Sequence, residues 1–173
     1  MTITVQILSP EQAQSYRDQL ARLLVDSVES GGAVNFVMPI ALGKALQWWD
    51  GALESHARGE RLILAANSDG RIVGTVQLIL ALQENQSFRA DLAKMLVLSE
   101  VRRQGIGAAL LQAAEQHART IGRTLLTLDT RTGEAGERLY ARMGWKKVGE
   151  IPEYATNPDN SGRHGTSLFY KAL

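Results

Sequence analysis

Met95-Leu96-Val97-Leu98, followed after three residues by Arg102-Arg103-Gln104-Gly105-Ile106-Gly107, is the stretch that decides the fold. An apolar, strand-like run gives way to a cationic glycine turn. The turn opens a segment whose apolar residues recur at helical spacing: Ile106, Leu110, Ala113, Ala114, His117 and Ile121. Backbone N–H groups converge at such a helix start, and the helix dipole favours negative charge. Gly105 and Gly107 let the main chain approach an anion without a Cβ in the way. The stretch reads as a phosphate cradle between a strand and a helix.

Two familiar phosphate cradles fit poorly. A P-loop needs Gly-Lys-Ser/Thr after its spacer, and the chain has none. A dinucleotide turn is closer, because the next strand ends at Asp129. Its third glycine position, however, holds Leu110, and six residues (99–104) separate the strand from Gly105. The chain upstream is a meander rather than a second βαβ unit.

Working outward, residues 2–8 read as a strand, and Ser9-Pro10-Glu11-Gln12 as a capped helix start. That helix runs to Gly31-Gly32, and Pro39 opens a second one ending at Gly59. On the second helix, Leu42, Leu46, Trp49, Leu53 and His56 share one face, which reads as core. Residues 61–66 and 71–82 form a hairpin about Asn67-Ser68-Asp69-Gly70. A strand over 88–98 leads into the glycine turn and a helix over 105–121. Residues 124–129 read as a buried parallel strand, 134–143 as a short helix, and 145–149 and 165–171 as closing strands. The order βααβββαβαββ predicts one mixed α/β domain over residues 1–173. It consists of an antiparallel meander followed by a β-α-β crossover.

Composition narrows the function classes. The 173 residues are 45% hydrophobic and 21% charged, as in an ordinary globular domain. A net charge of +1 gives no overall field toward nucleic acid or an anionic membrane. With no cysteine there is no disulfide, thiolate ligand or cysteine nucleophile. No His/Asp/Glu spacing suggests a metal, and no basic-aromatic stripe suggests nucleic acid. The amino terminus lacks a signal-peptide pattern, and no apolar run reaches the length of a membrane span. The expectation is a cytoplasmic protein, monomeric or homodimeric, with neither a nucleic-acid nor a membrane partner.

The spacing from Leu96 and Ser99 into Arg102-Arg103-Gln104-Gly105-Ile106-Gly107 resembles the acetyl-CoA signature of the GNAT family of N-acetyltransferases. Ala118, Gly122, Leu139-Tyr140 and Gly144-Trp145 fit the same pattern in order. Within the family, the chain is similar to the tabtoxin-resistance acetyltransferases. That likeness rests on Gly31-Gly32-Ala33, Lys94 to Leu98, Leu126, Leu128-Asp129-Thr130, and the tail. In the tail it is carried by Val148-Gly149-Glu150, Pro152, Tyr154-Ala155-Thr156, His164, Thr166 and Phe169-Tyr170-Lys171.

The resemblance implies a fold whose strands splay around acetyl-CoA, the acetyl donor, between the strand ending at Leu98 and the one ending at Asp129. Backbone groups of Leu96, Val97 and Leu98 would run beside pantetheine. Those of Arg103, Gln104, Gly105, Ile106, Gly107 and Ala108 would bind the pyrophosphate, with Arg102 and Arg103 side chains adding charge. A backbone N–H near Leu96 or Val97 is the candidate oxyanion donor.

The implied reaction is attack of a neutral amine on a thioester. An alkyl amine with a pKa of ~10.4 is only about 0.04% neutral at pH 7, a cost of roughly 4.6 kcal/mol. The site therefore needs a proton acceptor for the amine and a donor for the leaving sulfur. Tyr140 matches the family's donor, although a core tyrosine would read the same way. Asp91 and Asp129 flank the expected splay and are the candidate acceptors; a surface charge and a turn cap are their plainer readings. Asn35, Phe36 and His164 are candidates for the acceptor pocket. The implied acceptor is a small amine, amino-acid-like or toxin-like, such as tabtoxinine-β-lactam. A protein or peptide acetyltransferase and a non-catalytic CoA-binding module are the alternatives.

Overall fold

The computed structural model describes residues 2–173. Its elements are β1 (Thr4–Ile7), α1 (Pro10–Ser15), α2 (Arg17–Glu29), α3 (Leu42–Ala57), β2 (Arg61–Ser68), β3 (Arg71–Leu80) and β4 (Arg89–Val97). These are followed by α4 (Ile106–Thr120), β5 (Leu125–Arg131), α5 (Ala135–Arg142), β6 (Lys146–Thr156) and β7 (Arg163–Ala172). The seven strands form one sheet in the order β1-β2-β3-β4-β5-β7-β6. Among the described residues only β4 and β5 pair in parallel, so the antiparallel meander and the β-α-β crossover stand as the sequence predicts.

Local chemistry explains several boundaries. Ser9 and Gln12 form a reciprocal capping box: Gln12 N–H donates to Ser9 Oγ at 3.2 Å, and Ser9 N–H to Gln12 Oε1 at 2.9 Å. Asp69 (φ 51°) and Gly70 (φ 83°) form the two-residue turn between β2 and β3, as their left-handed tolerance allows.

Several boundaries differ from the sequence reading; β5, for one, runs past Asp129 to Arg131. The first helix breaks at Tyr16, whose φ/ψ of −93°/4° separates α1 from α2. The next begins at Leu42 rather than Pro39, with Ala41 in extended conformation (φ −69°, ψ 139°) as its N-cap. Finally, β6 extends to Thr156, past a register irregularity between Ile151 and Ala155. Pro152 sits in that irregularity on an edge strand, where a missing N–H is tolerated.

Consecutive residues Ile63–Ala66 of β2, and most of β3, are buried, so the central strands are covered on both faces. The helices α2, α3 and α4 supply that cover. Gly74 permits the α4 contact: a Cβ there would lie 3.0 Å from Leu110 Cδ1 and 3.2 Å from Ile106 Cγ2. His56 is buried core, with its ring nitrogens against Arg61 O and Leu8 O. The buried face of α4 is Ile106, Leu110, Leu111, Ala114, Glu115 and Ala118, rotated from the expected stripe. Glu115 can lie inside because Lys171 Nζ donates to it at 2.7 Å and Trp145 Nε1 at 2.8 Å.

Candidate active site

The ladder between β4 and β5 is only three pairs long: Arg89 with Leu125, Ala90 with Leu126, and Asp91 with Thr127. Beyond it, β4 stays with β3 and β5 stays with β7, so the sheet opens into a fork. The facing edges carry main-chain polar groups without a sheet partner across the gap. On the other side of β4, a bulge sets Lys94 and Met95 against Val76, with Lys94 at φ 50°. A bulge re-aims side chains and strengthens local twist. Here it turns Lys94 into the fork region.

One mouth of the fork is the start of α4. Arg103 (φ 63°) and Gly105 (φ 83°) turn the chain through left-handed conformations. The amides of Ile106, Gly107 and Ala108 meet no acceptor among the described residues, as expected for a first helical turn. Arg103 is exposed there. Arg102 is occupied: its Nε donates to Val97 O at 3.1 Å and its Nη2 to Ser30 Oγ at 2.6 Å. Arg102 thus braces the end of β4 against the end of α2.

The other mouth is a cavity of about 390 Å³ lined by residues from the α2–α3 loop, the β4 bulge, β5, α5, β6 and β7. Tyr140 opens onto it from α5, held by Trp145 and Phe169 with ring centres 5.7 and 6.1 Å away. Burial, and secondarily the Asp129 charge, push the Tyr140 phenol well above its ordinary range, so it keeps its proton. Asp129 Oδ2 accepts a hydrogen bond from Thr166 Oγ1 at 3.0 Å. Met38 N–H donates to Pro158 O at 2.7 Å, tying the α2–α3 loop to the β6–β7 loop beside the cavity.

The cavity brings Asn35, Phe36, Asp129, Tyr140 and His164 together, and Gly105, Ile106, Gly107 and Ala108 lie at the start of α4. Asp91 requires a correction. It lies in the last paired step of β4 and is absent from the cavity lining. Its carboxylate is held by Arg89 Nη1 at 2.5 Å and by the Thr127 hydroxyl. The fork opens just beyond it, which leaves Asp129 as the carboxylate on the cavity. Sequence reasoning missed Lys94, Lys44 and Thr166 as lining residues. A lysine inside the apolar run 92–98 was the one visible signal.

Residues 33–145 match the acetyltransferase (GNAT) family. The chain belongs to that family. An N-acetyltransferase from the hisH-hisA intergenic region of Azospirillum brasilense is 32% identical over 108 residues, 61% of this chain and 62% of that protein. The aminoglycoside N(6')-acetyltransferase type 1 of Klebsiella aerogenes is 28% identical over 120 residues, 60% of this chain and 79% of that protein. The solved N-acetyltransferase of Staphylococcus aureus Mu50 superposes with a TM-score of 0.80 at 16% identity, covering 99% of each chain. The GNAT match ends at Trp145, so the β6–β7 wall of the cavity lies outside it. Among the described residues of this GNAT chain, no helix is long and apolar enough to cross a membrane, and no His/Asp/Glu cluster could hold a metal.

Proposed function

We propose that this GNAT chain is an acetyl-CoA-dependent N-acetyltransferase acting on the amine of a small molecule by direct transfer in a ternary complex. The observation that carries this reading is the meeting of Tyr140 and Asp129 on one cavity at a forked sheet. Acetyl-CoA, when bound, supplies an acetyl group activated as a thioester. The free amides at the start of α4, with Arg103 beside them, suit its pyrophosphate. The edge of β4 beyond Asp91, which has no strand partner on the β5 side, suits an extended pantetheine arm at Leu96, Val97 and Leu98, with Val97 O held by Arg102 and Leu98 N–H by Val73 O.

Within the cavity, Asp129 would orient the acceptor's ammonium and take its proton, directly or through water. Tyr140 Oη, which stays protonated, would give a proton to the departing sulfur. The amide near Leu96 or Val97 would donate to the carbonyl oxygen as it gains charge.

The tie between the two cavity loops favours a small acceptor over an extended peptide, which needs an open groove. The amino-acid-like class, with tabtoxinine-β-lactam as the specific acceptor, is supported by where the tail residues of the tabtoxin-resistance likeness fall. Tyr154, His164 and Thr166 all line the cavity. The deciding assay is thiol release from acetyl-CoA across a panel of small amines, amino acids and peptides. Release with amino-acid-like acceptors supports the proposal. Acetyl-CoA binding without release for every amine would mark a binding module, and no binding would overturn the reading altogether.

A further inference from the structure

The acceptor end of the cavity carries cations without counter-ions. Lys94 Nζ lies 5.1 Å from the Trp48 ring centre and 6.0 Å from that of Phe36, and donates to Val34 O at 3.0 Å. Lys44 Nζ approaches the same Phe36 ring at 5.7 Å, and the Arg61 guanidinium approaches Trp48 at 5.9 Å. Cations and rings therefore alternate, from Lys44, Phe36 and Lys94 on the cavity lining to Trp48 and Arg61 outside it. None of Lys44, Arg61 and Lys94 is ion-paired among the described residues.

A second observation lies at the Arg61 end of that row. Arg61 donates through Nη1 to Gln77 Oε1 at 2.5 Å, while Arg61 Nε and Gln77 Nε2 are buried without an acceptor. Lys94 also has two of its three N–H donors unassigned. Burial and the Arg61 charge depress Lys94 to about 8, and Asp129 opposes that change. Besides Lys94 and Asp129, the charged or titratable groups on the lining are Lys44, Arg131, Tyr140, Tyr154 and His164, and Arg131 faces Glu134 at 3.7 Å. Positive charge on the partly buried Lys94 is costly until an anion enters, while Lys44, beside the same Phe36 ring, is exposed.

We infer that Lys94 and Lys44 form an anion subsite that takes a carboxylate of the acceptor. The acceptor is then a zwitterion, with its amine at Asp129 and Tyr140 and its carboxylate beside Phe36. This deepens the acetyltransferase reading above and rests on it. It also separates this cavity from one built for a polycationic aminoglycoside, which would meet unneutralised lysines.

The test pairs each L-amino acid with its own primary carboxamide in the thiol-release assay. The wild-type protein should favour the acid by about 10–100-fold in kcat/KM, mostly through KM, as expected for a charge-assisted contact. Lys94→Met should bring the acid-to-amide ratio toward one. Equal use of acid and amide by the wild type, once each rate is corrected for its neutral-amine fraction, overturns the subsite and leaves the acetyltransferase reading standing.

A second measurement needs no turnover. The Lys94 side-chain resonance is titrated by NMR in succinate and in chloride at equal ionic strength. A midpoint raised in succinate supports the subsite, and an unchanged midpoint overturns it. Absence of thiol release from every acceptor would sink the acetyltransferase reading, while this titration still decides the subsite.

Discussion

Thr166 Oγ1 donates to Asp129 Oδ2 at 3.0 Å, from one strand of the sheet to its neighbour. The bond orients the carboxylate, with Thr130 O also 3.1 Å from the same hydroxyl, and leaves Oδ1 without a protein donor among the described residues. A base held in this way can face an acceptor's ammonium from a rigid strand. Asp129→Asn should lower kcat by about 10²–10⁴-fold and flatten the acidic limb of the pH–rate profile. Thr166→Val should cost less, about ten-fold, because the base remains but its orientation loosens. An unchanged acidic limb in Asp129→Asn would remove Asp129 as the proton acceptor.

Tyr140 is the complementary group. Its phenol is pushed upward by burial, then by Asp129, so a proton donor persists across the working pH range. Tyr140→Phe keeps the ring packing against Trp145 and Phe169 and should lower turnover by roughly ten- to a thousand-fold. The raised phenol also carries a linkage. Below about pH 10 both folded and unfolded phenols are neutral; above it only the unfolded one ionises, so stability falls. Chemical denaturation from pH 9 to 11 should show a steeper alkaline loss for the wild type than for Tyr140→Phe. Matching slopes would count against a buried, protonated phenol.

The parts of this architecture that were legible in sequence are those written locally. Ser9 and Gln12 cap each other within one turn, Asp69-Gly70 closes its hairpin, and Gly105 sits at the helix start that its neighbours predict. Asp91 was misplaced for a non-local reason. Neither β4 nor β5 states where their three-pair ladder ends, and that end decides which carboxylate faces the fork. Lys94 was missed because strand alternation gives no sign of a bulge, and the bulge is what turns its side chain. The burial of Glu115 has no local sign, because its partners, Trp145 and Lys171, lie 30 and 56 residues away.

Gly105 has φ 83° at the cap of α4, and nothing lies within 4 Å of where its Cβ would project. A valine there meets backbone strain of roughly 1–2 kcal/mol rather than a clash. It would also tilt the first-turn amides and place a branched side chain beside the anion cradle. Gly105→Val should weaken acetyl-CoA binding ten-fold or more while the melting temperature falls by only a few degrees. Calorimetric titration with acetyl-CoA beside thermal melts separates the two effects, and unchanged affinity would refute the cradle.

Glu137 couples α5 to the closing strands, one helical turn before Tyr140. Its Oε1 accepts from Lys147 Nζ at 2.7 Å and Ser167 Oγ at 2.9 Å, and its Oε2 from Gly133 N–H at 2.5 Å. The Lys147 contact first, and then the Gly133 amide, hold this carboxyl down to about 2 from 4.5. A depressed carboxylate stabilises the fold fully above its unfolded value, and the contribution is lost as pH falls from about 4.5 toward 2. The wild type should therefore lose stability over that window more steeply than Glu137→Gln. Urea midpoints measured from pH 6 to pH 2.5 test this, and parallel curves would argue that the contacts do not persist in solution.

Glu115 ties the crossover helix to the far side of the fork. It is buried on α4 and receives Trp145 Nε1 at 2.8 Å and Lys171 Nζ at 2.7 Å, while Lys171 also donates to Met143 O at 2.8 Å. Removing one partner of a buried pair strands the other charge, so Glu115→Ala should cost about 3–5 kcal/mol. Replacing both charges, as in Glu115→Leu with Lys171→Met, should recover much of that loss, since apolar packing can stand in for a buried ion pair. Trp145 also packs on Tyr140, so the single variant should show lower turnover even where it remains folded. Denaturant unfolding of Glu115→Leu, of Lys171→Met and of the double variant closes the cycle. Additive losses in the double variant would mean that the two charges act independently.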